Sequence, residues 1–315
     1  MRAAMRPVMR SLARFWVLLS LLGLSLVASL LHRGSEPAWT PPRAGDLWVL
    51  EGDVHTHSSF AGALSTPVDI PLVARRRQLD FVAVTEHNAW FGGAVARALG
   101  KALAPEVIVL PSEEVTNRAY HLLAIGIERR VDPTLPLSAI ADEAHAQGGV
   151  VVAAHPTRDT WPLLLGLAAE KKLDGAEVFH PTIFLVEGRA REHADFLAEA
   201  SRLSGAPLSA FGSSDFHGGS SIGMCRTIVF AHERTAASIL EAMKAGRVVA
   251  VTSDGRTAGD AKWIRTLADA DIHTRASANT SPPSAQLRPL ERVLSWLIAI
   301  TMVIALFRPR RSSRS

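Results

Sequence analysis

"DVHTHS", residues 53–58, sets two histidines one residue apart behind the apolar run Leu47-Trp48-Val49-Leu50. Alternate side chains of an extended strand share a face, so His55 and His57 leave the strand end together. A His-x-His pair is by itself a weak signal. Its meaning depends on what the other strand ends carry.

Short apolar runs recur outward from this stretch. They are "LDFVAVTEH" (79–87), "EVIVLPSEE" (106–114), "HLLAIGI" (121–127), "GGVVVAAHP" (148–156), "DGAEVF" (174–179), "PLSAFGSSD" (207–215), "RTIVFA" (226–231) and "RVVAVTS" (247–253). Helical patterns lie between several of them, as over Pro67–Gln78, Leu137–Gln147 and Gly188–Leu203. Near-continuous apolar strands alternating with amphipathic helices predict an α/β fold with a parallel sheet under helices. Seven or more such units in about 200 residues favour a distorted (β/α)7-type barrel over an open sheet.

In a β/α barrel the functional side chains sit where strands end. Here nearly every strand end carries a metal-ligand type. The first supplies Asp53, His55 and His57, the second Glu86 and His87, the third Glu113 and Glu114. His121 opens the fourth, His155 follows the fifth, and Asp215 and His217 follow the seventh. The set is rich in imidazole and carboxylate and lacks thiolate, which suits Zn, Mn or Fe in a multinuclear hydrolytic site. Two divalent ions about 3.5–4 Å apart need a bridging carboxylate and neutral imidazoles around them. Cys225 is the single cysteine, so an intramolecular disulfide and a cysteine-rich zinc site are both excluded.

The ends have another character. Phe15 to Leu31 is an uncharged run of 17 residues, a helix of about 26 Å against a hydrocarbon core of ~30 Å. Val293 to Phe307 repeats the theme over a shorter length. Arg2, Arg6, Arg10 and Arg14 precede the first run; Arg308, Arg310, Arg311 and Arg314 follow the second. The positive-inside rule then puts both tails in the cytoplasm and the long middle segment across the membrane. A cleaved signal peptide is the alternative, but "LVASLLHRG" (26–34) has no clean Ala-x-Ala site. Removing the eight tail arginines from the 34 Lys+Arg leaves 26 basic against 30 acidic residues in the middle. The pI of 9.7 therefore encodes topology, and a nucleic-acid partner is not expected. The expected organisation is a basic tail and anchor at 1–34, a hydrolase domain at 46–256, a linker at 257–290 around "SANTSPPSAQ", and a second transmembrane helix with its basic tail at 291–315.

The motif order resembles the polymerase-and-histidinol-phosphatase (PHP) family of metal-dependent hydrolases. The likeness runs from about residue 49 to 255 and rests on "DVHTHS", "FVAVTEHN", "SEEVT", "HLLAIG", "AAHPTR", "GAEVF" and "GSSDFH" in sequence. It implies a distorted seven-stranded β/α barrel with two or three divalent ions, flanked here by the two transmembrane helices. His55, His57 and Asp215 would hold the first ion, and Glu114 would bridge to a second completed by His121 and His155. His87 and His217 would belong to a third, while Glu86 would bind a metal or orient His87. Arg158 would clasp a phosphate bidentately. Ala61-Gly62 stands where phosphatase members carry a third-site acid, so a third ion would have fewer ligands.

The implied activity is a membrane-anchored phosphoesterase using a metal-bridging hydroxide, with Glu114, Asp215 and Arg158 as its catalytic residues. Its substrate would be a small phosphate ester or another ester, met on the periplasmic or exterior side of the inner membrane. The alternatives are a carboxylic or carbamate ester hydrolase on the same metals, and a non-catalytic metal-binding sensory ectodomain.

Overall fold

The computed structural model describes residues 39–63, 65–218 and 220–272, together with Arg275 and Leu297. Eleven strands form one sheet: β1 (Arg43–Ala44), β2 (Leu47–Asp53), β3 (Phe81–His87), β4 (Ile108–Thr116), β5 (His121–Ile125), β6 (Val150–Ala153), β7 (Gly175–Phe179), β8 (Ser209–Gly212), β9 (Cys225–Ala231), β10 (Val248–Thr252) and β11 (Thr257–Gly259). Their order is β11-β10-β9-β2-β3-β4-β5-β6-β7-β8, with β1 paired to β2. Among the described residues the helices are α1 (Asp69–Arg76), α2 (Phe91–Leu103), α3 (Leu137–Ala146), α4 (Trp161–Ala169), α5 (Arg189–Ser204), α6 (Ala236–Lys244) and α7 (Ala261–Asp269).

The sheet is mixed, which corrects the expectation of a parallel one. β2, β3 and β4 run parallel, as do β6, β7 and β8, but β5 and β9 are antiparallel to both of their neighbours. The reversal of β5 has a local cause. Only Asn117–Tyr120 separate β4 from β5, and a parallel crossover needs a dozen residues or more. The Asn117 side chain tightens this hairpin by accepting from the Ala119 and Tyr120 amides at 2.8 and 3.1 Å.

The sheet curls until its ends meet. Leu50, Phe81, Leu110, Leu123, Val152, Phe211 and Val229, from β2, β3, β4, β5, β6, β8 and β9, share one buried cluster with Ile239, Ala242 and Met243 of α6. Only a nearly closed sheet brings residues of so many strands into one interior. A second cluster lies between β5–β6 and the inner faces of α3, α4 and α5, with Leu122, Val151, Ile140, Leu164 and Phe196. Closure between β8 and β9 rests on a side chain. Thr227 Oγ1 accepts from the Gly212 amide at 3.0 Å and donates to the Gly212 carbonyl at 2.8 Å. A Cβ on Gly212 would come within 2.4 Å of the Arg226 carbonyl oxygen, so this approach admits only glycine.

The first residues of the segment expected as linker, 257–269, form β11 and α7. β11 pairs antiparallel with β10. The Asp260 side chain caps α7 by accepting from the Lys262 amide at 2.7 Å. Trp263, Ile264 and Leu267 pack on Val49, Ile228, Phe230, Val249 and Val251. This helix escapes the strand–helix pattern because its apolar face is narrow and its other positions are charged or small. The two apolar runs, Leu297 excepted, lie outside the described residues, as do the basic tails. Among the described residues no helix is long and apolar enough to cross a membrane.

Replacing Thr227 by the isosteric Val removes the hydroxyl and strands two buried backbone groups of Gly212. The expected cost is about 1–3 kcal/mol, read as a lower urea midpoint at unchanged slope. An unshifted midpoint would show that the barrel closes without this contact.

Candidate metal centre

The reversed strands decide which residues meet. His55 and His57 follow β2, His87 ends β3, Glu114 lies near the end of β4, and His155 and Asp215 follow β6 and β8. β5 enters at that same end because it runs backwards, so its first residue, His121, joins the others. The loops after β2 and β8 are tied directly, with the His57 amide donating to the Phe216 carbonyl at 3.0 Å.

Glu114 sits at the middle, fully buried. Its Oε2 lies 3.2 Å from His55 Nε2, 3.3 Å from His57 Nε2 and 3.0 Å from His87 Nδ1. Its Oε1 lies 2.8 Å from His121 Nδ1 and 3.5 Å from His155 Nε2. Asp215 closes the first nest: its Oδ1 is 3.3 Å from His55 Nε2, 3.1 Å from His57 Nε2 and 3.3 Å from His217 Nδ1. His217 and His87 approach each other at 3.4 Å between their Nε2 atoms. The neighbouring Glu113 is turned to the other face of β4, where its Oε2 accepts from the Val131 amide at 2.9 Å and burial pushes its carboxyl up to about 7. Adjacent strand residues face opposite ways, so Glu114 lies in the cluster and Glu113 does not.

The donor set fits divalent cations. The Nε2 atoms of His55 and His57 lie 2.9 Å apart, and Glu114 Oε2 and Asp215 Oδ1 are buried with no hydrogen-bond partner among the described residues. Ligands at ~2.1 Å around one divalent ion are themselves about 3 Å apart, the spacing seen here. Grouped by reach, His55, His57 and Glu114 form one triad and Glu114, His121 and His155 another. His55, His155 and Asp215 form a third, and His57, His87 and His217 a fourth.

The electrostatics agree with a cation-binding role. Burial alone would raise Glu114 and Asp215, but His55 and the surrounding imidazoles hold both carboxyls well below the ordinary range. Burial alone would lower His55 and His155, yet Glu177, Asp215 and Glu114 raise the first, and Glu114 and Glu177 the second. A bound cation would compete with protons for these same imidazoles.

Further groups aim these ligands. Glu177 Oε1 accepts from His55 Nδ1 at 2.8 Å and from the Ser213 hydroxyl at 2.5 Å, and its Oε2 accepts from the His155 amide at 2.7 Å. Burial would raise this carboxyl, but His55 above all depresses it to about 2. His180 Nδ1 accepts from the Thr182 amide at 3.3 Å, which leaves the proton on Nε2, donated to Asp215 Oδ2 at 3.1 Å. Asp53 Oδ1 accepts from the His55 and Ser214 amides at 3.2 and 3.1 Å, and its Oδ2 from the Gly223 amide at 2.7 Å. The fully buried Arg226 continues the chain, with Nε on the Gly223 carbonyl at 3.1 Å and Nη1 on Glu51 Oε2 at 2.7 Å. His155 and Asp215 sit at φ of 28° and 42°, left-handed values that non-glycine residues hold only where the surroundings over-determine them.

Two expected site residues lie outside the ligand groups. Glu86 faces Ser58, accepting from its amide at 3.1 Å and from its hydroxyl, and it joins none of the ligand groups. Gly92 presses on it, since a Cβ there would come within 2.4 Å of Glu86 Oε1. Arg158 lies over the Trp161 ring at 3.8 Å and 3.6 Å from Asp195, with its side chain largely exposed. It forms no contact with the cluster among the described residues. Sequence reasoning passed over His180, although "EVFHP" places it after a strand just as "AAHP" places His155. Glu177 touches two members of the cluster at once, His55 by its side chain and His155 by its backbone. His193, on α5, is wholly buried.

Two measurements follow from this geometry. Glu177→Gln should weaken Mn²⁺ binding by about 10–100-fold, read by competition with a chromogenic chelator; unchanged affinity would deny Glu177 an orienting role. Burial depresses His193 to about 4, so the unfolded chain takes up a proton first as pH falls below about 6.5. Stability should therefore drop by up to ~3 kcal/mol between pH 6.5 and 4, and His193→Leu should blunt that drop in denaturant titrations.

No family model matches the chain. Over 142 residues, 42% of its length, the chain is 24% identical to an uncharacterized protein of Methanocaldococcus jannaschii and covers 82% of that protein. A solved two-domain protein from Bacteroides vulgatus, described as containing a predicted PHP-like metal-dependent phosphoesterase, matches with a TM-score of 0.62 at 21% identity, over 75% of this chain and 74% of that one. An amidohydrolase from Chromobacterium violaceum is more distant, with a TM-score of 0.42 at 18% identity over 54% of this chain and 89% of its own. Motif order, the nearly closed sheet and the Bacteroides vulgatus match agree that this chain has the PHP-type fold.

Proposed function

We propose that the protein is a metal-dependent phosphoesterase whose centre is the Glu114–Asp215 cluster. The observation that carries this reading is the division of Glu114, which offers one oxygen to His55, His57 and His87 and the other to His121 and His155. That is the arrangement of a carboxylate shared between two cations.

When bound, a pair of divalent ions supplies Lewis acidity, lowering the pKa of water and taking up charge that develops on the ester. The chain's own residues hold the geometry. Glu177 fixes His55 in one tautomer through Nδ1 and pins the backbone of His155. His180 holds Asp215 by Oδ2 and leaves Oδ1 turned toward His55 and His57. Asp53 ties the β2 and β8 loops together so that both nests keep their spacing. No serine or cysteine nucleophile is required.

The position of Arg158 favours a second reading on the same centre. A phosphate-clasping arginine is expected in the cluster, and here it is engaged with Trp161 and Asp195. A carboxylic or carbamate ester would not need it. The apolar runs Phe15–Leu31 and Val293–Phe307, each bordered on its outer side by arginines, support anchorage in the inner membrane with the barrel on the periplasmic or exterior side.

The full-length protein loaded with Mn²⁺ should hydrolyse a chromogenic phosphomonoester. Asp215→Ala and His155→Ala should each lower turnover at least about a hundredfold while unfolding cooperatively. Turnover confined to a carboxylic ester would select the second reading. Normal turnover in either variant would remove the cluster from the chemistry.

A further inference from the structure

Exposed large apolar side chains are distributed unevenly over the barrel. Six of them stand on segments that directly follow the strands bearing the site: Phe60 after β2, Phe91 after β3, Leu163 after β6, and Phe184, Leu185 and Val186 after β7. Among the described barrel residues only Leu135, on the segment after the reversed β5, is exposed to a comparable degree elsewhere. Single exposed apolar residues are ordinary, but a one-sided collection is characteristic of a binding surface. Leu185 is 81% exposed, and Phe60, Phe91 and Val186 are each 40–43% exposed.

The chain ties these residues to the cluster. Phe60 lies three residues past His57, Phe91 four past His87, and Phe184 four past His180. Phe60 and Phe91 meet edge to face, with centroids 5.9 Å apart and planes at 90°. This contact joins the loops after β2 and β3 into one apolar wall. Cations accompany the wall. The Arg256 guanidinium, paired with Asp254 at 3.1 Å, lies 5.2 Å from the Phe184 ring. Arg118, on the exposed β4–β5 hairpin three residues before His121, forms no ion pair among the described residues. Apolar surface, positive charge and a cation-binding centre at one end of the barrel complement one kind of molecule, an anionic ester with an apolar body.

We infer that the substrate's organic part is an alkyl or aryl group seated against Phe60, Phe91 and the Phe184–Val186 segment while its ester group meets the Glu114–Asp215 cluster. This rests on the hydrolase reading above and narrows it to amphiphilic esters. A polar sugar or nucleoside phosphate would leave the wall in water and gain nothing from it.

The test uses methyl-, butyl- and octylphosphonate, which carry the anionic head and cannot be hydrolysed, titrated calorimetrically into the full-length Mn²⁺-loaded protein. Affinity should rise roughly fourfold for each methylene buried, and Phe184→Ser with Leu185→Ser should flatten that rise. Octylphosphonate binding no tighter than methylphosphonate, while both bind, would overturn the apolar-substrate inference and leave the metal centre standing. A rise that persists undiminished in the double variant would also overturn it, because the apolar contact would then lie elsewhere. Failure of every phosphonate to bind would overturn the phosphoesterase reading itself, and this inference with it.

Discussion

Glu114 is a fully buried carboxylate that touches five imidazoles, and the remainder of the site is arranged around that fact. A buried carboxylate is tolerated only when opposite charge or hydrogen bonds compensate it, and five nitrogens at 2.8–3.5 Å supply more than compensation. They crowd one another, to the point that His55 and His57 bring their Nε2 atoms to 2.9 Å. Cations would relieve the crowding, and Glu114 Oε2 and Asp215 Oδ1, which face those nitrogens without a formed hydrogen bond among the described residues, are suited to meet them. The stability of this end of the barrel and its chemistry are the same problem.

The fold solves it by making each ligand depend on a buried partner. His55 is held by Glu177, Asp215 by His180, and the loops of both by Asp53. Asp53 in turn hangs on Gly223 and, through it, on the buried Arg226–Glu51 pair. Glu51 also accepts from the Arg275 amide at 2.8 Å. A chain of polar contacts therefore runs from the cluster into the interior of β2 and β9. Such a chain is costly to bury and costly to break at one link, so ligand geometry is coupled to the integrity of the sheet. The left-handed backbones of His155 and Asp215 are affordable only in that setting.

How far the sequence carries depends on how local each signal is. Strand ends bearing His, Glu and Asp were legible because strand and ligand are adjacent in the chain, and His55, His57, His87, Glu114, His121, His155, Asp215 and His217 all come together. Glu86 and Arg158 lie outside the ligand groups of the cluster. Each is a chemically suitable residue beside a ligand, but Glu86 is drawn off by Ser58 and Arg158 by Trp161 and Asp195. None of those partners can be named from spacing. His180 was missed although its place after β7 matched the others, and α7 was missed because its apolar face is narrow.

By itself, the sequence determined the α/β class, the order of the motifs and most of the residues that meet in the cluster, because periodicity and strand-end position are properties of short stretches. It also held the information for the reversal of β5, since four residues cannot span a parallel crossover. Only the tertiary structure decided which oxygen of Glu114 faces which imidazoles, that Glu177 and His180 orient ligands, and that Thr227 closes β8 onto β9. Those are contacts between residues up to more than a hundred positions apart. Their geometry exists only once the sheet has curled.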